Sequence, residues 1–579
     1  MNRILKQLQR RFPSDGRLLA KFPSLSAPDA RERTIIEHGE DVARAVKTMQ
    51  RLPVGAWEFL IAEGLTPDHI HKVITACALI HDMGKASSIF QIFRRAIREH
   101  RLFGDNGNSA IPDKDRKEYW EKVFVRHEQF SQPFAVMLAS VPEMHIPLVA
   151  DRHLNKQFNE LLIPLVVGGH HHMYRHADPM WNSIHLKNIQ LVPDTLVFFS
   201  RNQDEIYDEG TNDITKPGNV WQVAGQVQAM IHLMLGIEVD FCELARAHSG
   251  AEVYDFCYKD IINKVKQLKN QVSNSRDFMT DYKWMRLTQI VKAFIALFRY
   301  CDGWASSTLT RAKKVKQLIR PSARNIDAHE VLRLLIKNGN ARGSGDLVFH
   351  PFQETMLDPS VTDHLIVRPG CGKGKTVAAL AAGFAGSSGR SRVALCLPTT
   401  TAANHLYGKW MTSENMFAIA GLRHNRSGVA VRDMMREIVK VGAAPWYRDV
   451  AGMGEELDDE EDQEGTITEL TRNENFLAKR FIRPIMIMTL DQLCLQPFGS
   501  PYGCHLAEFN LPSTTINVDE LDSYSNFEQA SLEYMMRVLH RARFMLLSAT
   551  LSNVQIEFYR SILLNPRNEG SERGVRVIE

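Results

Sequence analysis

The sequence has little of what marks secreted, redox-active or membrane-spanning proteins. Its 579 residues include eight cysteines, and no two of them form a CxxC pair. Neither a zinc ribbon nor a dithiol redox motif is therefore indicated, and we expect reduced thiols. No apolar run approaches the roughly 20 residues that span a bilayer, and the segment MNRILKQLQRRFPSDGR lacks the apolar core of a signal peptide. These absences predict a soluble cytoplasmic protein with no membrane partner.

The chain also lacks a strong excess of charge of either sign. A formal net charge of +3 is too small to hold nucleic acid by bulk attraction, so any such binding must use local grooves. The length of 579 residues favours two or three domains. The 22 histidines make a metal site worth seeking.

The pattern of apolar residues changes near the middle of the chain. Up to about residue 310 it has helical spacing, as in the series Ile70, Val73, Ile74, Cys77, His81 and the series Leu287, Ile290, Val291, Phe294, Ile295, Phe298, Cys301. From about residue 346, short apolar runs alternate with helical stretches, at 365–367, 393–397, 485–488, 515–518 and 544–547. The second pattern is typical of βα units around a buried parallel sheet.

These patterns predict a multidomain protein with an all-α domain followed by an α/β domain. We assign residues 1–310 to the first, 311–345 to a basic linker and 346–579 to the second. The acidic run at 454–466 is interpreted as a solvated loop.

Histidines and aspartates recur along the helical half in a pattern that suits metal binding. A two-metal phosphodiesterase needs ligands for two ions about 3.5–4 Å apart. Consecutive helical residues point about 100° apart, so His81 would bind one ion while the carboxylate of Asp82 bridges both. A lone histidine is more often structural than a ligand. The series favours a site: His38, His81 with Asp82, His127, His170 with His171, and Asp302.

The order H…HDxGKxxxxFQ…RHE…GHH…DxxAS resembles the HD nuclease domain of the type I CRISPR-associated nuclease–helicase. HDMGKASSIFQ (81–91) follows that pattern closely, including Gln91. The resemblance implies that the seven residues above hold two divalent transition metal ions (Mn, Fe, Co or Ni) and cut single-stranded DNA. It also implies a phosphate contact for Lys85, whose alternative is a solvent-facing lysine.

Two departures from the family pattern lie on either side of Asp302. The stretch between His171 and Asp302 is long, which predicts a helical insertion at about 175–285. Gly303 separates Asp302 from Trp304, where the family has adjacent Asp and Trp.

The segment LIVRPGCGKGKTVAAL (365–380) predicts a phosphate-binding loop between a strand and a helix. Its glycines let backbone N–H groups close around phosphate. Lys375 would reach the β- and γ-phosphates of ATP, and Thr376 would bind Mg²⁺. The loop itself comprises Gly370, Cys371, Gly372, Lys373 and Gly374, with Pro369 at the usual first glycine. Lys373 either touches phosphate or is an exposed charge.

An acidic pair, Asp519 and Glu520, follows a predicted strand in NVDELD. It suits Mg²⁺ binding by Asp519 and activation of water by Glu520. The order FHPFQ, GKGKT, LPTTTAANHL, DELD and SAT resembles the first RecA-like lobe of a superfamily 2 helicase, which implies that Gln353 contacts adenine and that Ser548 and Thr550 link the ATP state to movement. Asp522 makes the acidic box DExD rather than the common DEVH.

Too few residues follow Thr550 for a second RecA-like lobe. Three interpretations stay open: a fragment, a second lobe on a separate chain, or a vestigial motor. The leading hypothesis is a nuclease coupled to a helicase module in CRISPR antiviral defence, with single-stranded DNA and an RNA-guided surveillance complex as partners. The alternatives are an HD phosphohydrolase acting on nucleotides with a regulatory ATP-binding lobe, and a non-catalytic ATP-gated recruitment module.

Overall fold

The computed structural model describes most of both halves of the chain. The described residues are 19–21, 33–49, 55–86, 131–169, 218–241, 252–273, 278–306, 328–337, 349–385, 392–411, 419–441, 467, 471, 474–475, 477–478, 481–494, 505–539, 542–564 and 574–579. The chain divides into two compact units, one comprising 1–50 and 60–306, the other 51–59 and 307–579. The architecture is therefore multidomain, with a helical unit and an α/β unit.

In the described residues of the first unit, the secondary structure is helical apart from the short antiparallel strands β1 (Leu19–Lys21) and β2 (Arg33–Thr34). Its helices are α1 (Ile35–Met49), α2 (Gly55–Ala62, shared with the second unit), α3 (Pro67–Ile80), α4 (Gln132–Ala139), α5 (Arg152–Gly168), α6 (Gly218–Leu235), α7 (Glu252–Ser273) and α8 (Phe278–Ala305). Helix α1 packs against α3 and α8, and α5 packs against α4 and α8.

Helix α3 brings the predicted doublet to the centre of this unit. Its N-terminus is capped by Thr66, whose side chain accepts from the N–H of His69, and Pro67 fills the first helical position. The apolar series predicted from Ile70 to Cys77 is buried. The helix ends at Ile80, so His81 and Asp82 stand at its C-terminal end rather than within it.

The predicted insertion at about 175–285 contributes to the helical packing. Within it, α6 packs against α3, while α7 packs against α4, α5 and α8. The described helices of this region are therefore part of the unit's core, because their apolar positions, such as Val227, Ile231 and Leu268, are buried.

The second unit contains a seven-stranded parallel sheet in the order β5–β6–β4–β7–β8–β3–β9. The strands are β3 (His364–Val367), β4 (Arg392–Leu397), β5 (Ala420–Arg423), β6 (Ile485–Thr489), β7 (Thr514–Val518), β8 (Arg543–Leu547) and β9 (Val575–Ile578). All five apolar runs predicted as strands are confirmed. Strands β5 and β9 were not predicted.

Helices cover both faces of this sheet. They are α9 (Ala328–Lys337), α10 (Pro351–Leu357), α11 (Lys375–Ala382), α12 (Thr400–Met411), α13 (Ser427–Val441), α14 (Leu490–Cys494), α15 (His505–Asn510), α16 (Asn526–Val538) and α17 (Asn553–Leu563). Alternate strand residues enter two apolar clusters: Leu365 and Val367 join one, Ile366 the other. Such two-sided burial explains why these strands read as continuous apolar runs.

The segment predicted as a linker contains a helix that the prediction omitted. Helix α9 lies within 311–345 and buries Val331, Leu332 and Leu335 in one apolar cluster of the second unit. The many Arg and Lys residues around these positions concealed the helical spacing. A second difference concerns residues 51–59, which belong to the second unit although they lie inside the predicted first domain.

The acidic run 454–466 lies outside the described residues. Among the residues described, no helix is both long and apolar enough to cross a membrane.

Candidate metal centre and phosphate-binding loop

The His81–Asp82 doublet lies in a tight turn after α3. His81 is the C-cap residue of the helix, and the 3₁₀ turn Met83–Ala86 follows Asp82 directly. The ring of His81 is fixed by a bond from its Nδ1 to the carbonyl oxygen of Ala78, at 2.8 Å. A backbone carbonyl can only accept, so Nδ1 carries the proton and Nε2 is left as a lone-pair donor.

His38 reaches the doublet from α1 because the two helices approach closely at the following residue. A Cβ on Gly39 would lie 3.0 Å from the carbonyl oxygen of Ala78 and 3.4 Å from Cα of Leu79. Glycine therefore permits an approach that a larger residue would resist. The rings of His38 and His81 lie edge to face, with centroids 5.4 Å apart.

Asp302 arrives from the last turns of α8. One turn earlier on the same helix, Phe298 packs edge-on against the ring of His81, with centroids 5.2 Å apart. Asp302 Oδ1 lies 3.0 Å from His38 Nε2 and also accepts from the hydroxyl of Ser306 at 3.1 Å. Asp302 therefore lies next to His38, although Gly303 separates it from Trp304.

Four predicted ligands meet in one buried cluster: His38, His81, Asp82 and Asp302. His81 Nε2 lies 3.4 Å from Asp82 Oδ1 and 3.9 Å from Asp302 Oδ1, and His38 Nε2 lies 3.6 Å from Asp82 Oδ2. Ligand atoms of His38, His81 and Asp82 all lie within 4.8 Å of one another.

His38, His81 and Asp82 fit a divalent ion in both donor type and spacing, and Asp302 lies beside the two histidines. Ligands about 2.1 Å from one ion lie roughly 3.0–3.4 Å from their neighbours in octahedral or tetrahedral geometry. The observed separations of 3.0–3.9 Å are close to that range. Imidazole together with carboxylate suits Mn, Fe, Co and Ni.

The separation of His81 and Asp82 differs from the prediction. Helical geometry predicted side chains about 100° apart, too divergent to share an ion. Their nitrogen and oxygen atoms instead approach to 3.4 Å, although His81 itself keeps helical φ and ψ of −60° and −33°. The doublet can therefore contribute two ligands to a single ion.

Lys85 is buried and faces the same carboxylate. Its Nζ donates to Asp82 Oδ2 at 2.5 Å. The alternative of a solvent-facing lysine is excluded. The ammonium group offsets charge at the most crowded carboxylate of the cluster, and its predicted contact with phosphate stays a prediction. His127, His170, His171 and Gln91 lie outside the described residues.

The predicted phosphate-binding loop of the second unit links β3 to α11. Gly372 and Gly374 have φ values of +72° and +79°, which favour glycine. Lys375 begins α11 and its Nζ donates to the carbonyl of Pro369 at 3.2 Å. The side chain therefore folds back over the loop, where an anion bound by the loop would meet its charge.

Thr376 and Asp519 meet beside this loop. Strand β7 lies between β4 and β8, and the Asp519 side chain at its end accepts from the hydroxyl of Thr376 at 2.5 Å. Burial raises the pKa of Asp519, and the bond from Thr376 offsets part of that rise. An oxygen pair of this kind beside a phosphate cradle suits Mg²⁺.

Glu520 adopts a left-handed conformation with φ of +51°. Burial, together with the charge of Asp519, raises the pKa of Glu520. Two residues on, burial would also raise the pKa of Asp522, but hydrogen bonds donated by Ser548 and Thr550 outweigh it and lower the value. The acidic box and the SAT segment are thereby joined.

Gln353 connects α10 to the phosphate loop. Its Oε1 accepts from the N–H of His350, and its Nε2 donates to the carbonyl of Lys373 at 3.2 Å. The predicted adenine-contacting residue therefore lies against the loop. The side chains of Cys371 and Lys373 are exposed, and Gly370 has open space around its Cα.

Sequence reasoning missed two residues that shape the metal cluster. Ser131 bonds to the backbone on both sides of the HD turn, and Gly39 allows α1 to approach α3. Ser131 lies four residues after His127 in RHEQFS, but a serine before a proline-containing helix start predicts a cap. Gly39 follows His38 directly, without a pattern of its own.

Comparison with known proteins finds matches to parts of this chain. Residues 20–223 match the family model described as Cas3, HD domain. That range includes His38 and the HD doublet, while Asp302 lies beyond it. A protein of Methanocaldococcus jannaschii, described as a putative CRISPR-associated nuclease/helicase Cas3, is 24% identical over 279 residues, covering 46% of this chain and 34% of that protein.

Several solved structures are similar over most of the chain. The crystal structure of T. fusca Cas3 with ADP has a TM-score of 0.46 at 16% identity, covering 96% of this chain and 53% of that one. A chain of a CRISPR RNA-guided surveillance complex, pre-nicking, has a TM-score of 0.38 at 15% identity, covering 95% of this chain and 49% of that one. The present chain thus spans about half the length of these relatives.

The family model concerns the HD domain of Cas3 proteins, and the archaeal relative is described as a nuclease/helicase. The chain is thus similar to CRISPR-associated Cas3 proteins, and its residues 20–223 match the Cas3 HD domain.

Proposed function

We propose that this chain is a metal-dependent nuclease that cuts single-stranded DNA, with an ATP-binding helicase lobe, in CRISPR antiviral defence. The observation that carries the proposal is the buried cluster of His38, His81, Asp82 and Asp302. Two imidazoles and one carboxylate lie within metal-ligand spacing, and a second carboxylate lies beside both histidines, in a protein similar to Cas3 nucleases.

Each residue of the cluster has a defined task in this proposal. His38, His81, Asp82 and Asp302 would hold the first divalent ion, and His127, His170 and His171 would complete a second site. The bound ions supply Lewis acidity toward the phosphodiester and lower the pKa of a bound water. Phe298 and the Ala78 carbonyl hold the His81 ring with Nε2 toward the carboxylates. Lys85 holds Asp82 and lies next to where a phosphate would bind.

The second unit would bind ATP and Mg²⁺ at the phosphate loop. Lys375 and the loop glycines would hold the phosphates, Thr376 and Asp519 would hold Mg²⁺, and Glu520 would orient water. The left-handed conformation and raised pKa of Glu520 suit a general base. In this proposal an RNA-guided surveillance complex exposes the DNA strand that the nuclease cuts.

Cleavage of circular single-stranded DNA by the purified chain tests the nuclease directly. With Mn²⁺ and without ATP, we expect cutting that EDTA abolishes and that Asp82→Asn reduces to the EDTA level. Lys375→Ala is the matched control, because it changes the phosphate loop and leaves the cluster intact. Metal-dependent cutting that survives in Asp82→Asn would refute the assignment of the site.

The same assay separates the nuclease from a nucleotide phosphohydrolase. Replacing DNA with nucleotides or cyclic oligonucleotides under the same conditions should give much slower turnover. Faster hydrolysis of the small substrates that Asp82→Asn still abolishes would favour a nucleotide phosphohydrolase over a nuclease.

A further inference from the structure

Ser131 stands at the N-cap position of α4 but does not act as a cap. Serine at this position usually accepts a hydrogen bond from an N–H of the first helical turn. Here Ser131 has helical φ and ψ of −79° and −15°, and its side chain makes no cap bond. The residue is completely buried. Its hydroxyl is directed to a different part of the chain.

The hydroxyl bridges the two backbone groups that enclose Asp82 and Met83. It accepts from the N–H of Gly84 at 2.9 Å and donates to the carbonyl of His81 at 2.5 Å. In a closed four-residue turn, that carbonyl and that N–H would bond to each other. Ser131 takes the place of this bond and widens the turn at the doublet.

We propose that Ser131 is a positioning residue that sets the orientation of His81 and Asp82 for metal binding. The inference rests on the proposed function, since it concerns the same cluster. Within the turn, the Lys85 N–H donates to the Asp82 carbonyl at 2.9 Å. Ser131 stabilises the turn from a separate segment of the chain, so the Asp82 side chain projects toward His38 and Lys85.

Removing the hydroxyl leaves two backbone groups of this turn without their shared hydrogen-bond partner. The His81 carbonyl and Gly84 N–H would lose their shared partner in a buried region, where an unpaired polar group is unfavourable. The direct way to satisfy both is to close the turn, which rotates the peptide units of Asp82 and Met83. The carboxylate then leaves its place 3.4 Å from His81 Nε2.

Substitution at this position, measured by metal binding to the full chain, tests the inference. Ser131→Thr and Ser131→Val have nearly the same shape, and only threonine keeps the hydroxyl. Ser131→Ala removes the hydroxyl without adding volume. Ser140→Ala is the matched control, because the hydroxyl of Ser140, at the other end of α4, donates only to the Met137 carbonyl of its own helix among the contacts described.

Mn²⁺ affinity by calorimetry and the visible spectrum of bound Co²⁺ are the readouts. We expect Ser131→Ala and Ser131→Val to weaken Mn²⁺ binding about 10–100-fold, the usual effect of losing a partner behind a metal ligand. Their Co²⁺ spectra should change, while Ser131→Thr and Ser140→Ala stay within a few-fold of wild type.

Two results would overturn the role of Ser131. One is a folded Ser131→Ala chain with wild-type Mn²⁺ affinity. The other is equal Mn²⁺ affinity in the threonine and valine variants, and this result decides the question where Ser131→Ala does not fold. Failure of the proposed function is distinguishable: the wild-type chain would then bind Mn²⁺ without cutting DNA, or would bind no Mn²⁺.

Discussion

Replacement of Gly39 by alanine should separate metal affinity from stability. Gly39 follows His38 on α1 and faces the end of α3, where the new Cβ would lie 3.0 Å from the Ala78 carbonyl oxygen. That oxygen also accepts from His81 Nδ1 at 2.8 Å. One backbone atom therefore sets both the spacing of the two helices and the orientation of the His81 ring.

The effect on stability has two opposing parts. Alanine is favoured over glycine in a helix by about 1 kcal/mol. Contact at 3.0 Å with a backbone oxygen forces the helices apart by a few tenths of an ångström, and such overpacking costs about 1–3 kcal/mol. The net destabilisation is therefore roughly 0–2 kcal/mol, small enough for the variant to stay folded.

The effect on metal binding has no such compensation. Moving α1 away from α3 lengthens the 3.6 Å separation of His38 Nε2 and Asp82 Oδ2, and displacing Ala78 disturbs the bond that orients His81. A loss of about 10-fold in Mn²⁺ affinity corresponds to about 1.4 kcal/mol and lies within the usual range for such changes.

Calorimetric titration with Mn²⁺ and thermal unfolding of the same preparation measure both quantities. Gly408→Ala in α12 is the control, since its Cβ would meet Met434 at an ordinary 3.8 Å; it should be neutral or slightly stabilising and leave Mn²⁺ binding unchanged. A folded Gly39→Ala chain with wild-type affinity would refute the reasoning.

Four further predictions concern single residues. Asp302→Asn should lower Mn²⁺ affinity about 10–100-fold, because it removes charge 3.0 Å from His38 Nε2; equal affinity in calorimetry would exclude Asp302 as a ligand. Gly374→Ala should abolish ATP binding in a fluorescence titration, because φ is +79° and the Cβ would lie 3.0 Å from Gln353 Nε2; wild-type affinity would contradict this. Burial raises the folded-state pKa of Asp519, so its protonation favours folding at low pH, and that contribution is lost as pH rises through the folded pKa. Asp519→Asn should therefore raise the Tm at pH 7 without nucleotide and change the Tm little below the ordinary aspartate pKa. A larger rise in Tm below that pKa than at pH 7 would refute this prediction. Phe481 has φ of +54°, so Phe481→Gly should destabilise about 1 kcal/mol less than Phe481→Ala, and denaturant titration giving the reverse order would exclude strain there.

The periodicity of apolar residues predicted the structure correctly where the burial of a residue depends on the helix or strand that contains it. The series Ile70–Cys77 and Leu287–Cys301 predicted the buried faces of α3 and α8, and five apolar runs predicted five strands. The proximity of Asp519 to Thr376 was predictable for a related reason: parallel strands end at one edge of the sheet, whatever their loops contain.

The sequence was a poor guide where geometry depends on how an element ends. A helical angle of about 100° separated His81 from Asp82 in the prediction, but no residue in ALIHDMGK signals that α3 ends at Ile80. Glycine and proline, the usual signals for a helix end, occur only at Gly84. The turn depends on Ser131, which is 47 positions away from Gly84 in the chain.

The two halves of the chain therefore differ in how far a sequence motif predicts the spatial arrangement of its site residues. In the second unit, the phosphate loop, Thr376 and Asp519 belong to a parallel sheet whose topology alone brings them together. In the first unit, His38 and Asp302 belong to two helices and His81 follows a third, and the close approach at Gly39 and the contact of Phe298 with His81 help to bring their side chains within ligand distance. A substitution that preserves every predicted ligand can consequently disable the metal cluster, and the comparison of Ser131→Thr with Ser131→Val isolates that dependence in a single hydroxyl.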